Sequence, residues 1–178
     1  KVPGNSLADF LNAAKKQPGK FNVGVAGATG ELSGDALWIQ TRTRMNNVRY
    51  KGSAPAELAL VAGEVDVSLL TPLASAQHIS AGKLKAYGIT SSQRNPVLPN
   101  VPTIAEQGVQ GYDFQIWHGL FAPKGTPVKV IRAVGQEAAR ALQAPDVRER
   151  FAQLGFVIIA NTPEEFAAVV KSEVAKYR

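Results

Sequence analysis

Helix and strand signals alternate from residue 6 to about residue 90, which predicts an α/β fold with a mostly parallel sheet flanked by helices. Short runs rich in β-branched residues recur between longer helical patterns. Two of these runs, Val65–Leu70 and Phe156–Ala160, are apolar nearly throughout, as strands covered on both faces are. Helix starts are spelled out by capping residues, which fixes where each strand must end.

Taken in order, Ser6 with Asp9 resembles a capping box, and Gly19 lies past the end, giving a helix over 6–17. Further helices are expected over 29–45, 54–62, 72–80, 102–107, 127–142, 146–153 and 163–177. Ser53 caps the helix at 54. Thr103 with Glu106 and Thr162 with Glu165 are capping boxes. Thr71-Pro72, Thr126-Pro127 and Thr162-Pro163 each offer a cap followed by Pro at the first helical position. The strands expected between them are Phe21–Ala26, Asn47–Tyr50, Val65–Leu70, Leu84–Thr90, Phe114–Pro123 and Phe156–Ala160. The rhythm breaks at about 91–125, where Pro and Gly gather around one short helix and one long extended run. That stretch reads as a connection between lobes. One strand and a few helices follow, too little for a core of their own.

The 178 residues are 45% apolar and 19% charged, enough to bury a core. No Cys is present, which excludes disulfide scaffolds, thiol nucleophiles and Cys-ligated zinc. The net charge of +6 divides evenly: residues 1–116 carry 11 basic and 8 acidic side chains, and residues 117–178 carry 9 and 6. With aromatics at 7% there is no basic stripe with interleaved rings, so no nucleic-acid partner is expected. No apolar run approaches the ~20 residues of a membrane span. The opening KVPGNSLADF lacks the apolar stretch of a signal peptide and does not begin with Met, so a processed or truncated product is expected.

GVAGATGELSG, residues 24–34, follows a strand and opens a helix. Gly27, Gly30 and Gly34 fit G-x-x-G-x-x-x-G, not the dinucleotide fingerprint, and no Walker lysine follows. A glycine-rich turn at a helix N-terminus exposes backbone N–H groups to an anion, and Thr29 adds a hydroxyl. A plain strand-to-helix turn is the competing reading. VRYKGSAPA (48–56) repeats the junction after Tyr50, and Thr71 marks another. Junctions of this kind line one edge of an open α/β sheet, where ligands bind. His78 and His118 have no metal-ligand partners at the right spacing, and no G-x-S-x-G elbow is present. No catalytic residue, metal or cofactor is expected, and Trp117 and His118 read as packing residues.

The segments KQPGKFNVGVAG, VRYKGSAPAELALVAGEVDV, HISAGKLKAYGITSSQRNPVLPNVPTIAEQGVQGYDFQIWHGLFAPKGTP and APDVRERFAQLGFVI, read in order, resemble the extracytoplasmic solute receptors of tripartite tricarboxylate transporters, the Bug family. The resemblance covers nearly the whole chain. It implies a type II periplasmic-binding-protein-like fold, with one lobe complete and part of the other. Residues 1–115 would be the second ligand-binding lobe, and residues 116–178 a returning segment that completes the first. Most of the first lobe would then be missing, leaving apolar faces open to self-association. The implied function is periplasmic capture of a small organic acid for membrane transporter subunits. A ligand-sensing domain of a transcriptional regulator is the alternative. The implied ligand residues are Ala26, Gly27, Ala28, Thr29, Gly30, Tyr50 and Thr71. Val25 stands where the family usually has a small hydroxyl residue, Glu31 where it often has His, and Thr71 where it often has Asp or Asn.

Overall fold

A computed structural model describes residues 2–176, which fall into two compact units that meet between Ile116 and Trp117 in the chain. The first unit follows the expected alternation. Helix α1 (Leu7–Lys16) starts at the Ser6–Asp9 capping box: Ser6 Oγ accepts from Asp9 N–H at 3.1 Å, and Asp9 Oδ2 accepts from Asn5 and Ser6 N–H at 3.0 and 3.2 Å. Leu7, Phe10, Leu11 and Ala14 recur at helical spacing and are all buried. Strand β1 (Asn22–Ala26), helix α2 (Gly27–Thr41), strand β2 (Asn46–Tyr50), helix α3 (Ser53–Ala62), the two-residue strand β3 (Val67–Ser68) and helix α4 (Pro72–Ser80) come next.

The three strands form one parallel sheet in the order β2-β1-β3. Central β1 is buried through Val23, Gly24 and Val25, as its two neighbours require. Phe10 is the aromatic hub beneath, its ring centroid 5.6 Å from Phe21, 6.3 Å from Trp38 and 5.5 Å from Tyr87. Tyr112 ties in the far end of the unit: its hydroxyl donates to the Ser33 carbonyl at 2.9 Å.

Several expected elements take another form. Helix α2 begins at Gly27 rather than 29, because Gly27 makes the whole strand-to-helix turn in one residue at φ +66. It ends at Thr41 rather than 45, since Arg42 takes the left-handed conformation and Thr43 N–H closes back onto the Trp38 carbonyl. Gly52, not Ser53, occupies the N-cap of α3. The expected helix over 102–107 is a run of turns. Its capping box is made, with Glu106 accepting from Thr103 N–H and Thr103 Oγ1 from Glu106 N–H. The next bonds reach back only three residues, and Gly108 at φ +97 ends the turn.

The run Leu84–Thr90 forms no strand beyond one bridge, Ile89 to Thr103. A cavity of about 610 Å³ is lined by Val67 and Leu69 of the β3 region and by Leu84, Ala86 and Tyr87 of this run, among others. Phe114–Pro123 and Phe156–Ala160 have no ladder either. Phe114 N–H bonds the Thr90 carbonyl, and Phe156 N–H turns back onto Phe151.

The second unit holds helices α5 (Val128–Gln143), α6 (Pro145–Gln153) and α7 (Pro163–Lys176). Its N-cap at α5 is Pro127, because Thr126 Oγ1 instead donates to the Pro123 carbonyl. The Thr162–Glu165 box does cap α7, with Glu165 N–H donating to Thr162 Oγ1 at 3.2 Å. Trp117 and Phe121 pack on Phe166, and His118 packs on Phe156, so Trp117 and His118 are packing residues here. Among the described residues of this unit none is buried, and Phe121 and Val157 are 70% and 71% exposed. Among all described residues no helix is long and apolar enough to cross a membrane.

Candidate functional site

Each strand of the parallel sheet hands over to a helix at its C-terminal end, so the N-termini of α2, α3 and α4 gather along one edge. In the β2-β1-β3 order the chain leaves β1 toward β2 and crosses back over β1 to β3, and right-handed crossovers put α2 and α3 on opposite faces, which opens a crevice between the C-terminal ends of β1 and β3. The first N–H groups of each helix have no partner within the helix, and the dipoles add a positive field.

Six of the seven expected site residues lie side by side on this edge. Ala26 ends β1 and sits at the N-cap of α2. Gly27, Ala28 and Thr29, all exposed, form the first turn, and Gly30 is half-buried, with space for a Cβ at 3.7 Å from the Val25 backbone. Nothing lies within 4 Å of a Cβ built on Gly27, so the approach to these amides is open. Tyr50 ends β2 and pairs in register with Ala26. Thr71 belongs to the other side of the crevice, at the N-cap of α4 beyond β3, where its side chain makes no capping bond and is exposed. Ser68, at the end of β3, donates its hydroxyl to the Gly24 carbonyl at 2.8 Å and so locks the sheet.

Glu31 does not turn to solvent alone. Arg49 of β2 holds both its oxygens, Nε to Oε2 at 2.9 Å and Nη2 to Oε1 at 2.6 Å. The guanidinium hydrogen bonds keep the Glu31 carboxyl below its ordinary range. Sequence reasoning missed this partner, which lies 18 positions away. The signal was present only as parallel register: Arg49 and Val25 each stand one residue before the end of their strands.

Other candidates lie elsewhere. His78 Nε2 is 3.6 Å from Glu57 Oε1, across α3 and α4. Among the described residues no group of three or more His, Cys, Asp or Glu could hold a metal ion. A depression of about 440 Å³ beside the C-terminal ends of α1 and α2, with Lys15, Gln40 and Arg42 in its lining, contains none of the expected site residues.

The whole chain, residues 1–178, matches the profile of the tripartite tricarboxylate transporter family receptor. It is 38% identical to a protein encoded in the tcbD-tcbE intergenic region of Pseudomonas sp., over 99% of this chain and 55% of the relative. It is 31% identical to protein BugT of Bordetella pertussis, over 97% of this chain and 54% of BugT. The chain thus spans about half the length of these two relatives. Among solved structures it resembles an R. palustris protein with adipate (TM-score 0.84, 30% identity, 99% of this chain and 60% of that one). It also resembles MatC from Rhodopseudomonas palustris with bound malate (TM-score 0.80, 31% identity, 99% and 62%). The periplasmic binding protein BugD is similar as well (TM-score 0.78, 33% identity, 98% and 60%). The fold is accordingly that of periplasmic binding proteins, and the chain belongs to the tripartite tricarboxylate transporter family of receptors.

Proposed function

We propose that this chain is the ligand-gripping part of a periplasmic receptor that captures a small organic acid and delivers it to membrane transporter subunits. The observation that carries the reading is the convergence of three helix N-termini on one sheet edge with an uncovered first turn at Gly27–Gly30. Carboxylate oxygens placed there accept charge-assisted hydrogen bonds from the α2 amides, each worth roughly 1.5–3 kcal/mol. Thr29 and Thr71 supply hydroxyls from the two sides of the crevice, Tyr50 supplies its ring and phenol, and ordered water fills the remainder. Two relatives of similar fold were solved with adipate and with malate, which supports a small carboxylate as the ligand class. No residue in this scheme transfers a proton or forms a bond to the ligand. The chemistry is binding and release.

In this reading residues 1–115 act as one ligand-binding lobe, and residues 116–178 return to complete the other. The exposed apolar side chains of the second unit then pack against the part of a longer receptor that lies outside this chain. Closure of the two lobes excludes bulk water from the ligand.

The test is calorimetric titration of the intact receptor with mono-, di- and tricarboxylates and their neutral amides. Binding of a carboxylate with measurable but much weaker binding of its neutral amide is the expected result. Ala28→Asp places a carboxylate among the same amides, where it suits the helix dipole and leaves the fold intact. It should weaken the acid at least about tenfold, or about 1.4 kcal/mol. Thr29→Ala removes one hydroxyl and costs less. A folded Ala28→Asp receptor with unchanged affinity would place the site elsewhere.

A further inference from the structure

The Glu31–Arg49 pair stands at the candidate edge without a part in the scheme above. Helical side chains lean toward the N-terminus of their helix, so Glu31, four residues past Gly27, covers the first turn of α2 rather than the turn after it. Arg49 stands beside Tyr50, in register with Val25. The pair is a fork on a carboxylate, with the Arg49 side chain 76% exposed and that of Glu31 25% exposed. An ion pair so open to water adds little to stability. Its effect is on the local field. Without Arg49, a full negative charge would hang over the amides that an anionic ligand needs. Asp35, one turn further along α2 with its Oδ1 accepting from Asn47 Nδ2 at 2.9 Å, would add to that charge.

We propose that Arg49 is a specificity-determining residue that masks Glu31, so that the sheet edge accepts a carboxylate, and that removing Arg49 turns the same edge against anions. This rests on the carboxylate-binding reading. Like charges within one or two helical turns, at effective dielectrics between those of a protein surface and water, weaken binding by about three- to tenfold per ligand charge at low salt.

The experiment titrates the intact receptor with adipate, malate and the neutral adipamide. The proteins are wild type, Arg49→Gln, Arg49→Lys, Glu31→Gln and the Arg49→Gln/Glu31→Gln double variant. Arg49→Gln should weaken the dicarboxylates by about three- to tenfold or more, with the loss shrinking as salt rises. Adipamide should be indifferent to every substitution. Arg49→Lys should keep most of the affinity, because it keeps the charge, and the double variant should return to the wild-type level. A packing role for Arg49 would give neither the charge selectivity nor the rescue. Dicarboxylate affinity unchanged in Arg49→Gln overturns the inference alone. A double variant as weak as Arg49→Gln overturns it too, since Arg49 would then touch the ligand itself. A wild-type receptor that binds no carboxylate overturns the reading on which the inference rests, and the inference with it.

Discussion

Gly27 shows how much a single residue decides at this edge. Its φ of +66 lets β1 end and α2 begin without a loop, and that brings Ala28, Thr29 and Gly30 into the first helical turn. A side chain at Gly27 has room but the wrong backbone, so Gly27→Ala should destabilise the unit by about 1 kcal/mol. Gly30 is the contrasting case. Its φ is ordinary for a helix, and a Cβ would meet the Val25 backbone at 3.7 Å, a normal contact. Gly30→Ala should therefore stabilise by about 0.5–1 kcal/mol, as Ala does over Gly inside helices. Chemical denaturation of both variants checks the opposite signs. Equal effects would mean that the turn is not made at Gly27. The glycine-rich string was legible in the sequence, but which glycine turns the chain was not. The pairing of Glu31 with Arg49 was also hidden, because it depends on the parallel register of two strands and not on local spacing.

Capping boxes were the most legible feature at the scale of elements, and they show what local signals leave undecided. Ser6–Asp9 and Thr162–Glu165 open helices, whereas Thr103–Glu106 makes the same reciprocal bonds around a turn. A box satisfies the first donors of a helix, but continuation needs residues that can carry it, and Gly108 stops this one. Strands fared less well than helices for a related reason. Phe21–Ala26 and Asn47–Tyr50 found partners nearly as expected, and Val65–Leu70 shrank to Val67–Ser68. Leu84–Thr90 gives its Ile89 bonds to Pro102 and Ile104 instead. A β-branched apolar run fits a ladder, but only tertiary context supplies one.

The boxes also set a pH dependence. Backbone N–H bonds from Asn5, Thr103 and Thr162 respectively are the leading reason that Asp9, Glu106 and Glu165 are held below their ordinary values. Groups lowered in this way contribute stability that is fully present above the ordinary values, 3.8 for Asp9 and 4.5 for the glutamates. That stability is lost as pH falls through the lowered ones. The melting temperature should be level from neutrality to about pH 5 and fall below it. Replacing Ser6 by Ala should cost about 1 kcal/mol at neutral pH. Replacing Asp9 by Asn should remove the Asp9 part of the acid limb, and an Asp9→Asn protein with the wild-type acid limb would contradict the assignment.

For the whole molecule, the contrast between the two units is the main physical fact. Residues 1–116 bury a core around Phe10, Val23 and Val25, while residues 117–176 bury no described side chain. Within the second unit, Trp117 and Phe121 gather on the Phe166 ring. A Cβ on Gly119 would clash with that ring, so Gly119→Ala should displace it. Residues 1–116 made alone should unfold cooperatively. Residues 117–178 made alone should bind a hydrophobic dye and show no cooperative transition, and the chain of 178 residues should self-associate at about micromolar concentration through its apolar faces. Sedimentation as a strict monomer would count against this. The incomplete core after residue 116 was visible in the sequence as a shortage of strands.

The central claim, a carboxylate held at the C-terminal edge of the sheet, is tested most directly by amide-resolved NMR of the intact receptor titrated with malate. The expected result is saturable shifts concentrated on Gly27–Gly30, Tyr50 and Thr71, moved to at least about tenfold higher malate concentration by Ala28→Asp. Shifts gathered instead at the Lys15–Arg42 depression, or saturable binding that leaves the first turn of α2 unmoved, would contradict it.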